Sequence, residues 1–232
     1  MDKNKIFKFV IGLLLLPTAF CVFWAGGELV WALVKNFRLT FYFLLGAFVF
    51  LAIHKIYSFS WFYVASHEIT HAAAALLCGH KVKSVDIKEE SGNVKISGSN
   101  TFILLAPYVF PLLSVVTVII YCLVNLFANL APIWGKIFLG LLGFFTALHL
   151  LHTYKALTET QQSDIKYAGG GIFSFPIIVL FNMAVVIVLL EFLFPGVVPL
   201  WQILAGIFKN TIFLWKNFFA YSHKFIVWAA GR

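Results

Sequence analysis

The chain has 232 residues, 62% of them apolar and only 11% charged, with a mean hydropathy of +0.95. Soluble domains carry about 45–50% apolar and about 25% charged residues, so a water-solvated monomer could not cover its surface with this composition. That excludes a soluble enzyme, a disordered chain and a nucleic-acid-binding module. The net charge of +8 comes from Lys and Arg scattered between apolar runs. It suits a polytopic membrane protein whose basic ends face anionic lipid, with the bilayer as its main partner and no nucleic acid.

At ~20 residues per helix the length admits about six spans. Residues 9–34 read as the first. The run is too long for the core of a signal peptide, and Phe20 before Cys21 makes a poor cleavage site. Residues 39–53 read as the second span, and 61–79 as the third. Residues 81–98 change character: apolar residues two apart flank a Ser91-Gly92-Asn93 break, which predicts a β-hairpin. Residues 80–100 carry seven of the charged side chains, so this segment lies at or near water.

A fourth span, 102–129, is interrupted by Pro107 and Pro111. These would kink it and free carbonyls near residues 103 and 107, an opening for water or substrate. The fifth span, 134–154, has His149 and His152 near its end. Residues 156–171 are polar and Gly-rich, and 172–194 read as the sixth span. In the tail, Lys209, Lys216 and Lys224 fall on one helical stripe, which suits an interfacial helix better than a seventh span. Cys21, Cys78 and Cys122 lie in apolar runs without CxxC spacing and read as inert thiols.

The expected fold is thus an all-α polytopic membrane protein with a small β-hairpin and a C-terminal amphipathic or seventh helix. Its expected regions are 1–60, a core of 61–194, and a tail of 195–232. The expected setting is a bacterial cytoplasmic membrane. Orientation stays open: lysines on the hairpin side put that side in the cytoplasm, whereas Lys3, Lys5 and Lys8 argue the reverse.

His67-Glu68-Ile69-Thr70-His71 is an HExxH in a helical run. Residues i and i+4 share a helix face, so both imidazoles can reach one Zn²⁺. Glu68 can then take a proton from a water at that metal. By composition the pattern would arise by chance about 0.005 times per chain, and Glu and His deep in an apolar span are functional by default.

A catalytic zinc has three protein ligands plus water, so a third must be found among His80, His149, His152, Glu159 and Asp164. Two neutral histidines, one carboxylate and one hydroxide neutralise Zn²⁺, which a low-dielectric site tolerates best. That favours Asp164 or Glu159. Asp164 is preferred, because the nearby Gly169–Gly171 break could carry irregular backbone inward. Counting along the helices brings His71, His149 and Asn182 to similar depth, roughly 9–15 Å from the span ends. His149 or Asn182 could then steady an oxyanion, or simply bond a neighbouring helix.

The string SHEITHAAAALLCGHKV, a small hairpin, the proline-broken LLAPYVFPL and then QSDI together resemble the site-2 protease family of intramembrane zinc metalloproteases. The resemblance covers about residues 61–185 and implies a minimal member without a PDZ-like insertion. It implies that His67 and His71 hold zinc, that Glu68 is the general base and that Asp164 is the third ligand. The family's Asn-Pro-Asp-Gly or Leu-Asp-Gly setting is replaced here by Gln162–Ile165. The implied activity is hydrolysis of peptide bonds in membrane-embedded protein substrates. Two other readings stay open: a transporter or metal carrier using the same ligands, and an inactive relative that binds membrane partners. The sequence does not indicate an oligomeric state.

Overall fold

The computed structural model describes residues 3–128, 131–158 and 162–231. In chain order these form α1 (Lys3–Lys35), α2 (Phe37–Ile53), α3 (Ser60–Leu77), β1 (Val82–Ile87), β2 (Gly92–Ile96), α4 (Thr101–Val109), α5 (Leu112–Phe127), α6 (Pro132–Thr158), α7 (Ser163–Ala168), α8 (Gly171–Leu193) and α9 (Leu200–Ala230).

Among the described residues, α1, α6 and α8 are long and apolar enough to cross a membrane. The pair α4 and α5 makes a fourth if taken as one span bent by 68°. The sequence expectation was about six. The difference lies in α2, which is apolar but only 17 residues long, and in α3, whose apolar run is diluted by the polar motif. Large apolar side chains such as Phe20, Phe23, Trp24, Phe48 and Val188 point outward. Outward apolar faces suit lipid as the surrounding solvent.

Small residues set the helix spacing. A Cβ on Gly46 of α2 would fall on the Gly140 carbonyl of α6, and one on Gly143 would fall on the Phe43 carbonyl. Close backbone approach through small residues is how helices associate when lipid removes the hydrophobic drive between them. The larger core joins Ala25, Leu29 and Leu33 of α1 to Phe43, Leu142, Ile187, Leu190 and Ile203. A second cluster packs Leu105 and Tyr108 of α4 against Ala156, Ile165, Ala168 and Ile178. The third joins α3 and α4 through Ala74, Ala75, Ile103 and Ala106, with Val82 and Ile96 of the hairpin beside it.

The hairpin is an antiparallel pair, with Val85 opposite Val94 and Ile87 opposite Gly92, and an irregularity between Val82 and Ser84. The break between α4 and α5 falls at Phe110–Pro111, while Pro107 lies inside α4. Asp164 sits in the first turn of α7, in regular helix rather than an irregular loop. Helix α9 buries only Ile203 among its described residues.

Candidate metal centre

Within α3, Thr70 Oγ1 donates to the Ser66 carbonyl (2.6 Å) and Ser66 Oγ to that of Tyr63 (2.9 Å). The helix can therefore carry hydroxyls through an apolar region without stranding them. One face carries Ala74 and Ala75, whose small side chains let α4 approach closely. That approach brings the Ile103 carbonyl to His71 Nδ1 at 2.8 Å. A carbonyl can only accept, so Nδ1 carries a proton, and the neutral tautomer of this ring presents its Nε2 lone pair inward.

Three potential ligand atoms meet there. His67 Nε2 and His71 Nε2 lie 3.2 Å apart, and Asp164 Oδ2 lies 3.4 Å from the first and 3.3 Å from the second. Donors about 2.0–2.1 Å from a tetrahedral zinc stand about 3.3–3.4 Å from one another. The triangle has that edge length. With both rings neutral, two nitrogen lone pairs and a carboxylate oxygen converge on one point, an arrangement that calls for a cation at its centre. The donor set thus fits zinc. Burial alone would raise the Asp164 carboxyl, but without a cation between them His67 and His71 can donate Nε2–H to it, and these hydrogen bonds hold it well below the usual carboxylate range.

Glu68, Val94, Ile103 and Asp164 line a cavity of about 570 Å³ with both histidines. His67, Glu68 and His71 are each 8–9% exposed. Strand β2 supplies one wall through Gly92, Asn93, Val94 and Ile96. Gly92 lies directly on the Glu68 side chain: a Cβ there would be 2.8 Å from Oε1. The hairpin therefore confines the Glu68 carboxylate against the face of α3 that carries His67 and His71.

The chain's match to known families follows the same residues. The model of the Peptidase M50B-like family matches residues 40–160. The chain belongs to the Peptidase M50B-like family. No curated protein and no solved structure matches it. The M50B-like match takes in α3, the hairpin and the broken span and ends just before Asp164, which the fold nevertheless delivers to the histidines. Apolar helices and family together make this a membrane protein of a peptidase family.

The remaining sequence candidates separate. His149 Nε2 donates to Asn182 Oδ1 at 3.0 Å. Both Asn182 N–H groups are already engaged, one by the Tyr108 carbonyl and one by that of Ile178. This buried pair holds the Tyr108 carbonyl beside the break between α4 and α5, where Leu112 N donates to the Phe110 carbonyl instead. His152 stacks on Tyr63, with ring centroids 4.4 Å apart, and His80 packs against Gly98. Neither joins the cluster of potential ligand atoms. Glu159 lies outside the described residues.

Sequence reasoning missed Tyr108. Its hydroxyl donates to Asp164 Oδ2 at 3.2 Å, its ring meets that of His67 edge-on at 5.1 Å, and it is fully buried. The available signal was a phenol in an otherwise apolar span, next to Pro107, since a buried hydroxyl needs a partner.

Proposed function

We propose that this chain is a zinc-dependent intramembrane endopeptidase. Its metal ligands are His67, His71 and Asp164, and its general base is Glu68. The observation that carries the reading is the ligand triangle facing a Glu68 carboxylate inside one cavity. Family membership supports hydrolysis over transport, because a carrier would not need a carboxylate held beside the metal ligands by a strand.

Zinc bound there would polarise the scissile carbonyl and acidify the attacking water. Glu68 takes that water's proton and returns it to the leaving nitrogen. His71, fixed by the Ile103 carbonyl, and Asp164, held by the Tyr108 hydroxyl, keep the ligand set from rotating away. His149 and Asn182 act by bracing the Tyr108 backbone rather than as oxyanion donors.

Peptide bonds in a membrane helix are shielded by their own hydrogen bonds, so cleavage needs an unwound segment. The β2 edge that does not pair with β1 runs along the cavity and can supply replacement backbone partners by strand addition. The substrate class is therefore a membrane-embedded protein segment that can be drawn out as a strand.

Purified chain incubated with zinc and a model single-span substrate tests the reading. The wild type is expected to bind zinc and cleave, and Glu68→Gln to bind zinc equally while losing at least about 10²-fold in turnover. Cleavage by the Glu68→Gln chain at the wild-type rate would remove the base from its role. Zinc binding without any cleavage by the wild type would favour the carrier or the inactive relative.

A further inference from the structure

We propose that Lys8, at the start of α1, is a positioning residue for the Asp164 carboxylate, and acts by clamping the far end of the helix that carries it. The inference rests on the reading of Asp164 as the third metal ligand. Helix α7 has six residues, and isolated helices below about 12–15 residues are marginal. Its placement must come from what it touches. Ile165 and Ala168 anchor one face in the cluster with Leu105 and Tyr108. At the other end, the Ala168 carbonyl receives the Lys8 ammonium at 2.7 Å.

The same ammonium donates to Thr101 Oγ1 at 3.0 Å, and that hydroxyl also lies 3.5 Å from the Ala168 carbonyl. One charge thus ties α7 to the first residue of α4. Helix α4 carries both the Ile103 carbonyl that orients His71 and the Tyr108 hydroxyl that holds Asp164. Fixing α7 against α4 fixes the separation between carboxylate and imidazole.

The neighbourhood is shaped to admit the lysine. Gly169 has φ +148°, and a Cβ there would lie 2.9 Å from Lys8 Cδ. The ammonium stands 5.4 Å from the Phe173 ring centroid. One helical turn on, Gly12 lets α1 rest on the backbone of Ile172 and Phe173, so α1 docks at the α7–α8 junction. An ammonium half-buried at such a contact is tolerated only where acceptors await it.

The test measures zinc affinity of the full chain in detergent by competition with a chelator. Lys8→Met keeps the aliphatic stem and removes the charge. It is expected to weaken zinc binding about tenfold, in the range for residues that orient metal ligands, and Lys8→Arg to recover most of that loss. Thr101→Val, which removes the other half of the clamp, should weaken binding in the same direction. It serves in place of Lys8→Met if that variant does not fold. In an Asp164→Ala background Lys8→Met should cost nothing further, because the lysine acts through the aspartate. Amide exchange in α7 should quicken in Lys8→Met while α2 and α6 stay unchanged.

Unchanged zinc affinity in Lys8→Met, or an equal loss with and without Asp164, overturns the proposal. If Asp164→Ala alone binds zinc as tightly as the wild type, the ligand assignment fails and takes the role of Lys8 with it. The aspartate variant reports that failure separately.

Discussion

His71 Nδ1 donates to the Ile103 carbonyl at 2.8 Å, and Ile103 is four residues before Pro107, which has no N–H to offer it. A proline inside helix α4 thereby leaves free the acceptor that sets the tautomer of a candidate metal ligand on α3.

Pro107→Ala would return an N–H to that carbonyl and make it share its hydrogen bonding. A loss of about 1 kcal/mol in the His71 contact is expected, which is about fivefold in zinc affinity. Chelator competition reads it directly. An unchanged affinity would mean that His71 is oriented by its packing alone.

Gly92→Ala tests the wall that confines Glu68. The added methyl would meet the carboxylate, with Oε1 only 2.8 Å away, while the histidines and Asp164 are untouched. Zinc binding should stay at the wild-type level and cleavage should fall by about 10²-fold, approaching removal of the base. Metal content and turnover measured on one preparation separate the two effects.

Tyr108→Phe removes the hydroxyl that donates to Asp164 Oδ2 and leaves the packed ring in place. Asp164 keeps 22% side-chain exposure, so water can replace part of that bond. Zinc affinity should fall by less than about tenfold, with the fold intact by circular dichroism.

Acid should release zinc before it unfolds the chain. Asp164 lies below its ordinary carboxylate value, so it remains ionised as pH falls and is not the group that takes up the competing protons. Those go to His67 and His71, and affinity should decline as the pH falls, with at most two protons bound per zinc lost. A group with a lowered native pKa contributes stability that is fully present above its unfolded value. For Asp164 that stability is lost only as pH falls from about 3.9 towards the native value. Zinc content and helicity followed over the same pH series distinguish the two transitions.

Much of the centre was legible because helical periodicity is local. The spacing of His67, Glu68 and His71 fixes their shared face, and charge balance singled out a carboxylate partner. The two prolines marked the broken span, but their use was not readable. The freed Ile103 carbonyl could be expected to admit water, whereas in the fold it holds His71. Tyr108 and Lys8 were invisible for the same reason: each acts through a contact made only when distant helices pack. Lys8 reads in sequence as one more basic residue near the start of an apolar run. The span count was harder still, since α3 mixes apolar length with the polar groups of the site.

His71 and Asp164 lie 93 residues apart in sequence. A metal held between them would act as a staple across the chain, closing a long loop that includes the hairpin and the broken span. A piece trimmed to residues 40–160, the extent of the family match, would keep the histidines and the glutamate. It would lose the carboxylate that completes the triangle, and with it α1 and its lysine. Such a fragment should carry the motif yet hold zinc poorly.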